Sequence, residues 1–125
     1  MFNEATGALP YVRSRQVKTY AVLAKTRWFA APDIATSDEL GVPGVNILFW
    51  HGLWIPNGAP KEIVAKLNAA VVAALGEPTV RKRLTDIGQE IFPPDKQTPE
   101  ALHAFHKAET EKWWPIIKAA GIKVE

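Results

Sequence analysis

The sequence predicts an α/β fold, and three stretches of the 125-residue chain support that prediction. Residues 61–75 place apolar side chains three and four positions apart, which is the period of one helix face. Residues 46–55 (NILFWHGLWI) are almost continuously apolar, as is typical of a strand covered on both faces. Residues 17–24 are rich in β-branched and apolar side chains and predict a further strand. The composition, 47% hydrophobic and 22% charged, is that of a globular protein and excludes disorder.

The first half of the chain is predicted to begin with a short helix over residues 6–15. Pro10 is placed in the first turn of that helix, where its missing N–H is not needed. After the strand over 17–24 comes a loop, and Thr36 or Ser37 is suited to cap a short helical turn that ends at Leu40. A Gly-Val-Pro-Gly sequence then separates this turn from the strand over 46–55.

Two helices are predicted next. Pro60 is suited to the first position of the helix over 61–75, and Glu62 places negative charge in its first turn. The second helix covers residues 78–87, and Gly88 ends it.

The last part of the chain is predicted to form a short strand over 89–92 and a long helix. The helix begins at a capping Thr98 that is followed by Pro and Glu, and it runs to about Ala120 with a kink at Pro115. The predicted order is therefore α-β-β-α-α-β-α. Three short strands are few for this many helices, so we expect further chain or a second copy to complete the sheet.

The residues do not predict catalysis, a metal or a cofactor. The chain has no cysteine, no Ser/His/Asp set and no glycine-rich phosphate loop. His103 and His106 lie three apart on the last helix, a spacing that can share a metal, but exposed histidines without a ligand are favoured. His51, in the predicted strand, is interpreted as a hydrogen-bonded core residue. Glu109 shares an apolar stripe with Trp113, so it requires a structural partner.

The distribution of charge allows two interpretations of the basic residues: contact with phosphates, or exposure to solvent. The net charge is only +2, although basic residues are concentrated in the first 31 positions. The basic stretches at 13–18 and 81–83 could contact phosphates, but neither forms a recognised nucleic-acid motif, and solvated faces are favoured. We therefore expect no nucleic-acid partner, and a small basic nucleic-acid-associated domain is kept as the alternative function.

Several motifs, in order along the chain, resemble one family. Residues 50–68 (WHGLWIPNGAPKEIVAKLN) are similar to W-x-G-L-x-A-P-x-G-T-P-x-x-I-V-x-K-L-N, the signature of Bug-type receptors of tripartite tricarboxylate transporters. Residues 32–36 (PDIAT) resemble P-D-V-P-T, and residues 41–44 (GVPG) resemble G-x-P-G. The closing helix carries T-P-E, K-W and A-G-I in the family's order. Departures include Ala59 in place of a threonine and Pro115 inside the last helix.

The resemblance implies the C-terminal portion of a two-lobed, type II periplasmic-binding-protein-like fold. It implies that residues 1–48 are part of the second lobe, that 49–97 are the crossover strand and helices of the first lobe, and that 98–125 are a helix packing across. It implies binding of a small organic carboxylate without catalysis, for uptake through membrane transporter subunits. The residues placed nearest the ligand are Phe2, Asn3 and Trp50.

The family is periplasmic, whereas the sequence begins without a recognisable signal peptide, which predicts a cytoplasmic protein if it is made as written. A chain with an incomplete fold is also expected to self-associate, because it would expose sheet edges and apolar faces. A stand-alone oligomerising module is therefore kept as a weaker alternative function.

Overall fold

The structure, a computed structural model, describes residues 1–123. It contains four α-helices: α1 (Ala5–Arg13), α2 (Lys61–Gly76), α3 (Pro78–Asp86) and α4 (Pro99–Ala119). A short 3-10 helix, Pro94–Lys96, precedes α4. All four predicted helices are thus formed, within two residues of the predicted ends.

Local capping explains where α1 and α4 begin. The Glu4 carboxylate accepts hydrogen bonds from Thr6 N (3.2 Å) and Gly7 N (3.3 Å) and so satisfies two amides at the start of α1. Thr98 Oγ1 accepts a hydrogen bond from Ala101 N (3.1 Å), as its predicted capping role requires.

Two predicted proline positions are wrong by part of a turn. Pro10 lies inside α1 and not in its first turn, because capping by Glu4 starts the helix at Ala5. Pro60 precedes α2, and its carbonyl accepts hydrogen bonds from Ile63 N and Val64 N as the helix begins. Glu4, which was not identified as a cap from sequence, thus moves Pro10 out of the first turn, whereas Pro60 lies one residue before the predicted start of α2. Pro115 lies inside α4, as predicted.

The three predicted strands are not formed within the described part of the chain. The residues that were expected to form them have no regular secondary structure, and one isolated parallel bridge joins Val22 to Thr36. Around it, Val22 N donates to Ala35 O, and Ile47 N donates to Leu23 O, both at 2.9 Å. A strand requires a continuous ladder of partners, and these residues find partners at only a few positions.

The chain divides into two compact units. The first comprises Met1–Leu53 and Leu75–Ile91, and the second comprises Trp54–Ala74 and Phe92–Glu125. In the first, α1 contributes Leu9, a fully buried apolar side chain, and Arg13 Nη1 donates to Asp86 O (3.3 Å). In the second, Asn68 Nδ2 donates to Gln97 O (2.7 Å), and the rings of Phe92 and Phe105 meet edge to face. The predicted lobe boundaries do not coincide with these units, and the lobe assignment stays a prediction.

Apolar faces predicted to be buried are largely open to solvent. On α2, Ile63, Leu67 and Val71 are exposed, whereas Val64 and Leu75 are half-buried. Residues 47–49 and 53–55 of the second predicted strand are also exposed. The prediction that this strand is covered on both faces is therefore wrong for the described chain.

Candidate functional site

The first candidate residues lie just before α1. Phe2 is 85% exposed, and the neighbouring Asn3 is exposed as well. Asn3 Oδ1 accepts a hydrogen bond from Glu4 N (3.0 Å), which directs the amide oxygen toward the backbone. Asn3 is therefore a hydrogen-bond donor available to an incoming acceptor.

The amino end of α1 is already occupied by an internal carboxylate. Glu4 takes the amides of Thr6 and Gly7, so those two donors would have to be vacated before any external anion could use them. An anion near α1 would therefore compete with Glu4 for these two amides, and the Asn3 side chain is a further donor beside them.

The third candidate, Trp50, belongs to the same unit as Phe2 and Asn3. Its side chain is half-buried, between the exposed residues Phe49 and His51, whose rings meet edge to face with centroids 5.2 Å apart. His51 is exposed, so its interpretation as a core histidine is wrong. A ligand-binding role for Phe2, Asn3 and Trp50 remains a prediction.

Two sets of hydrogen bonds in the first unit were not fully predicted from the sequence. Trp28 Nε1 donates to Gly88 O (2.9 Å) across 60 residues of sequence. Thr36 and Glu39 form a reciprocal capping box, in which Glu39 N donates to Thr36 Oγ1 (3.1 Å) and Thr36 N donates to Glu39 Oε2 (2.7 Å). The sequence signal for the second is the Thr-x-x-Glu spacing, of which only the threonine was recognised.

Arg27 completes the capping box. Its Nε lies 3.0 Å from both carboxylate oxygens of Glu39, and its Nη1 donates to Pro32 O (3.1 Å). The hydrogen bond from Arg27, followed by that from the Thr36 backbone, lowers the pKa of Glu39, and the pKa of Arg27 is raised by the same hydrogen bond.

Glu109 has the structural partners that its position on α4 predicted. Trp113 Nε1 donates to Glu109 Oε2 (2.8 Å), and Lys112 Nζ lies 3.7 Å from Glu109 Oε1. The side chain of Glu109 is 19% exposed, so both contacts compensate for partial loss of hydration.

The histidines of α4 show no metal-binding arrangement. His106 packs edge to face against Trp54, with ring centroids 4.9 Å apart. Residues 1–123 contain no group of three or more His, Asp or Glu side chains placed to hold a metal ion.

Membrane spans were also considered for the described residues. None of the helices in residues 1–123 is by itself long and apolar enough to cross a membrane, and α2 with α3 reaches that length and composition only as a bent pair.

Solved structures define the class of protein. MatC from Rhodopseudomonas palustris with bound malate is 38% identical, with a TM-score of 0.87 over 92% of this chain and 39% of MatC. The periplasmic binding protein BugD is 35% identical, with a TM-score of 0.85 over 94% of this chain and 39% of BugD. The chain therefore has part of a periplasmic-binding-protein-like fold, as the sequence predicted.

The particular family follows from the sequence comparison. The family model described as the tripartite tricarboxylate transporter family receptor matches residues 1–122, and the chain belongs to this family. A UPF0065 protein from the TAR-I ttuE-ttuC' intergenic region of Agrobacterium vitis is 34% identical over 95% of this chain. BugT from Bordetella pertussis is 26% identical over 94% of it. The chain spans about a third of the length of these relatives, 34% and 35% respectively.

Proposed function

We propose that this chain forms part of a receptor that binds a small organic carboxylate, without catalysis, and presents it to the membrane subunits of a tripartite tricarboxylate transporter. The observation that supports this most directly is the likeness to MatC, which is 38% identical over 92% of this chain and whose structure holds malate. Since BugD is a periplasmic binding protein and is 35% identical to the chain, the periplasm is the proposed location.

The physical basis of carboxylate recognition here is hydrogen bonding and not bulk charge. A net charge of +2 provides little general attraction for an anion. Backbone amides and side-chain amides can hold a carboxylate without a large positive net charge, as the two amide contacts of Glu4 at α1 illustrate. Because Glu4 occupies those amides, we assign the external carboxylate to the Asn3 side-chain amide, with Phe2 and Trp50 as apolar walls.

Malate binding is tested in a chimera in which this chain replaces the matched 39% of MatC. Calorimetry is expected to detect malate binding and to detect none with malate dimethyl ester, which lacks the negative charges. Asn3→Ala is expected to weaken malate binding about tenfold or more, since a hydrogen bond to a charged group contributes about 1.5–3 kcal/mol.

The matched control is Trp114→Ala, because Trp114 is an exposed aromatic residue on α4, in the other unit. This variant is expected to leave malate affinity unchanged. A folded chimera that does not bind malate, or that binds the ester equally well, would contradict the proposed function. Unchanged affinity in Asn3→Ala would contradict the residue assignment alone.

A further inference from the structure

Two basic stretches that are distant in sequence meet in the first unit. Residues 13–18 begin at the last residue of α1 and continue past it, and residues 82–86 form the end of α3. Arg13 Nη1 donates to Asp86 O (3.3 Å), so the ends of the two helices lie within reach of one arginine side chain. We refer to residues 13–18 and 82–86 as the basic surface. Its basic side chains are all exposed, and they are Arg13, Arg15, Lys18, Lys82 and Arg83.

The basic surface separates positive from negative charge within the first unit. It contains those five basic side chains and one acidic side chain, Asp86, whereas the rest of the unit contains three basic and six acidic side chains. Lys82 Nζ lies 2.7 Å from Asp86 Oδ2, so the one acid already has a cation beside it. Arg15 and Arg83 form no ion pair within residues 1–123. A unit whose charges nearly balance therefore presents a local positive field, which attracts anions to this surface.

Exposed aromatic and apolar side chains lie among these charges. Tyr11 is 53% exposed, and its carbonyl oxygen accepts a hydrogen bond from Gln16 N (2.9 Å) at the turn after α1. Tyr20 is 73% exposed, and its ring centroid lies 5.0 Å from Lys18 Nζ. Ile87, which follows Asp86, is exposed as well. Tyrosine rings and apolar side chains beside lysine and arginine are typical of surfaces that contact the headgroup region of a membrane.

The basic surface differs in kind from the exposed apolar face of α2. An apolar face is suited to being covered by further chain, whereas lysine and arginine are almost never fully buried unless they are paired. We therefore expect the basic surface to stay accessible in a whole receptor.

The backbone at Arg15 provides an independent observation. Arg15 has φ 56°, the left-handed conformation that favours glycine or asparagine. Arg15 N donates to Val12 O (3.1 Å), so this conformation closes the end of α1. Arginine is less favourable than glycine in such a conformation, and no ion pair within residues 1–123 compensates for it. A charged side chain kept at an unfavourable backbone position points to binding outside the chain.

We infer that the basic surface binds a membrane surface that carries anionic phospholipids. The guanidinium and ammonium groups contact lipid phosphates, and Tyr11, Tyr20 and Ile87 lie at the boundary between headgroups and acyl chains. The inference goes beyond the proposed receptor function, since it requires neither a carboxylate ligand nor transporter subunits. Binding of this kind would give the first unit a defined orientation toward the membrane.

Vesicle binding of the chain tests the inference. The two samples are vesicles of phosphatidylcholine with about 30% phosphatidylglycerol and vesicles of phosphatidylcholine alone, both at an ionic strength of about 0.15 M. Cosedimentation is expected to show at least about tenfold stronger binding to the anionic vesicles, because each basic residue near the surface strengthens binding about fivefold. The neutral vesicles measure what exposed apolar side chains elsewhere, such as those of α2, contribute. Equal binding to the two kinds of vesicle would overturn the inference.

Arg15→Gly separates lipid binding from folding. It is expected to weaken binding to the anionic vesicles about fivefold and to leave the midpoint temperature of unfolding unchanged or higher, because glycine suits this backbone conformation. Lys66→Gln is the matched control, since Lys66 is an exposed cation on α2, in the other unit. The control is expected to change binding less than about twofold. Equal weakening by the two variants would contradict the inference, and so would unchanged binding when Arg15→Gly is combined with Arg83→Gln.

Two further measurements distinguish a membrane from other anionic partners. Tyr20→Ser is expected to weaken binding to the anionic vesicles at least about threefold, because the ring no longer lies at the membrane boundary. Unchanged binding in this variant would mean that the surface recognises charge alone, and the lipid assignment would be wrong. Tighter binding to duplex DNA than to the anionic vesicles, at equal phosphate concentration and ionic strength, would identify nucleic acid as the partner and overturn the inference. Loss of malate binding in the MatC chimera would leave these results unaffected, so the two proposals fail separately.

Discussion

Replacing Gly88 by alanine is expected to destabilise the first unit through two separable effects. Gly88 has φ +79°, a left-handed conformation that costs an L-residue about 1–2 kcal/mol. In addition, a Cβ atom at this position would overlap Trp28 Cζ2 and lie 3.0 Å from Trp28 Cε2. The indole must then move, and its hydrogen bond to Gly88 O, contributing about 1 kcal/mol, is lost or distorted. The expected total is about 2–4 kcal/mol in the free energy of unfolding.

Gly41→Ala provides the matched comparison, because Gly41 has φ +81° and an added Cβ would meet nothing within 4 Å. Its expected cost is the conformational term alone, about 1–2 kcal/mol. Urea unfolding followed by far-UV circular dichroism measures both variants. In a Trp28→Ala background, Gly88→Ala is expected to cost only slightly more than Gly41→Ala, because the ring is gone and Ala30 Cβ, at 3.1 Å, is the close neighbour that remains. Equal costs for the two glycine substitutions in the wild-type background would refute the contact with Trp28.

Two further predictions concern polar contacts. Because hydrogen bonding to Arg27 lowers the pKa of Glu39 in the folded state, the ion pair stabilises the fold above the ordinary glutamate pKa. That stability is lost as the pH falls below about 4–5 and through the lowered folded-state pKa. Midpoint temperatures measured across this range should therefore depend less on pH in Glu39→Gln, and an unchanged slope would contradict the linkage. Trp113→Phe removes the donor to Glu109 and should cost about 1–3 kcal/mol in urea unfolding. The adjacent Trp114→Phe, at a side chain that is 57% exposed, should cost less than about 0.5 kcal/mol, and the reverse order would refute the assigned contact.

The helices could be predicted from sequence because their signals are local. Thr98 caps α4 through an amide three residues away, and the apolar period of α2 spans a single segment. The prediction for Glu109 was equally local, since its partner Trp113 lies one helical turn further along α4. Errors at Pro10 and Pro60 were confined to the helix starts, where Glu4 caps α1 and Pro60 lies one residue before α2.

The strands and the site could not be predicted in the same way, because they depend on distant chain. The bond from Trp28 to Gly88 spans 60 residues, and no local pattern connects its ends. The apolar pattern of residues 46–55 indicates that a sheet would suit this segment, but a ladder forms only when neighbours are present. The ligand assignment for Phe2, Asn3 and Trp50 also depends on distant chain. A two-lobed receptor encloses its ligand between its lobes, and these three residues could form only part of such a site.

The exposed face of α2 and the exposed side chains among residues 47–53 have a common physical interpretation. Ile63, Leu67 and Val71 repeat at helical spacing on α2, yet all three are exposed. Such an apolar stripe is typical of a helix face that packs against other chain. In the other unit, Leu48, Phe49 and Leu53 are exposed as well. A chain that follows the path of MatC while matching 39% of it is expected to leave apolar side chains uncovered in each of its two units. On this interpretation, joining the chain to the unmatched part of MatC should bury the apolar side chains of α2 as well as those of residues 47–53. Burial of only one of the two sets would mean that the two surfaces serve different partners.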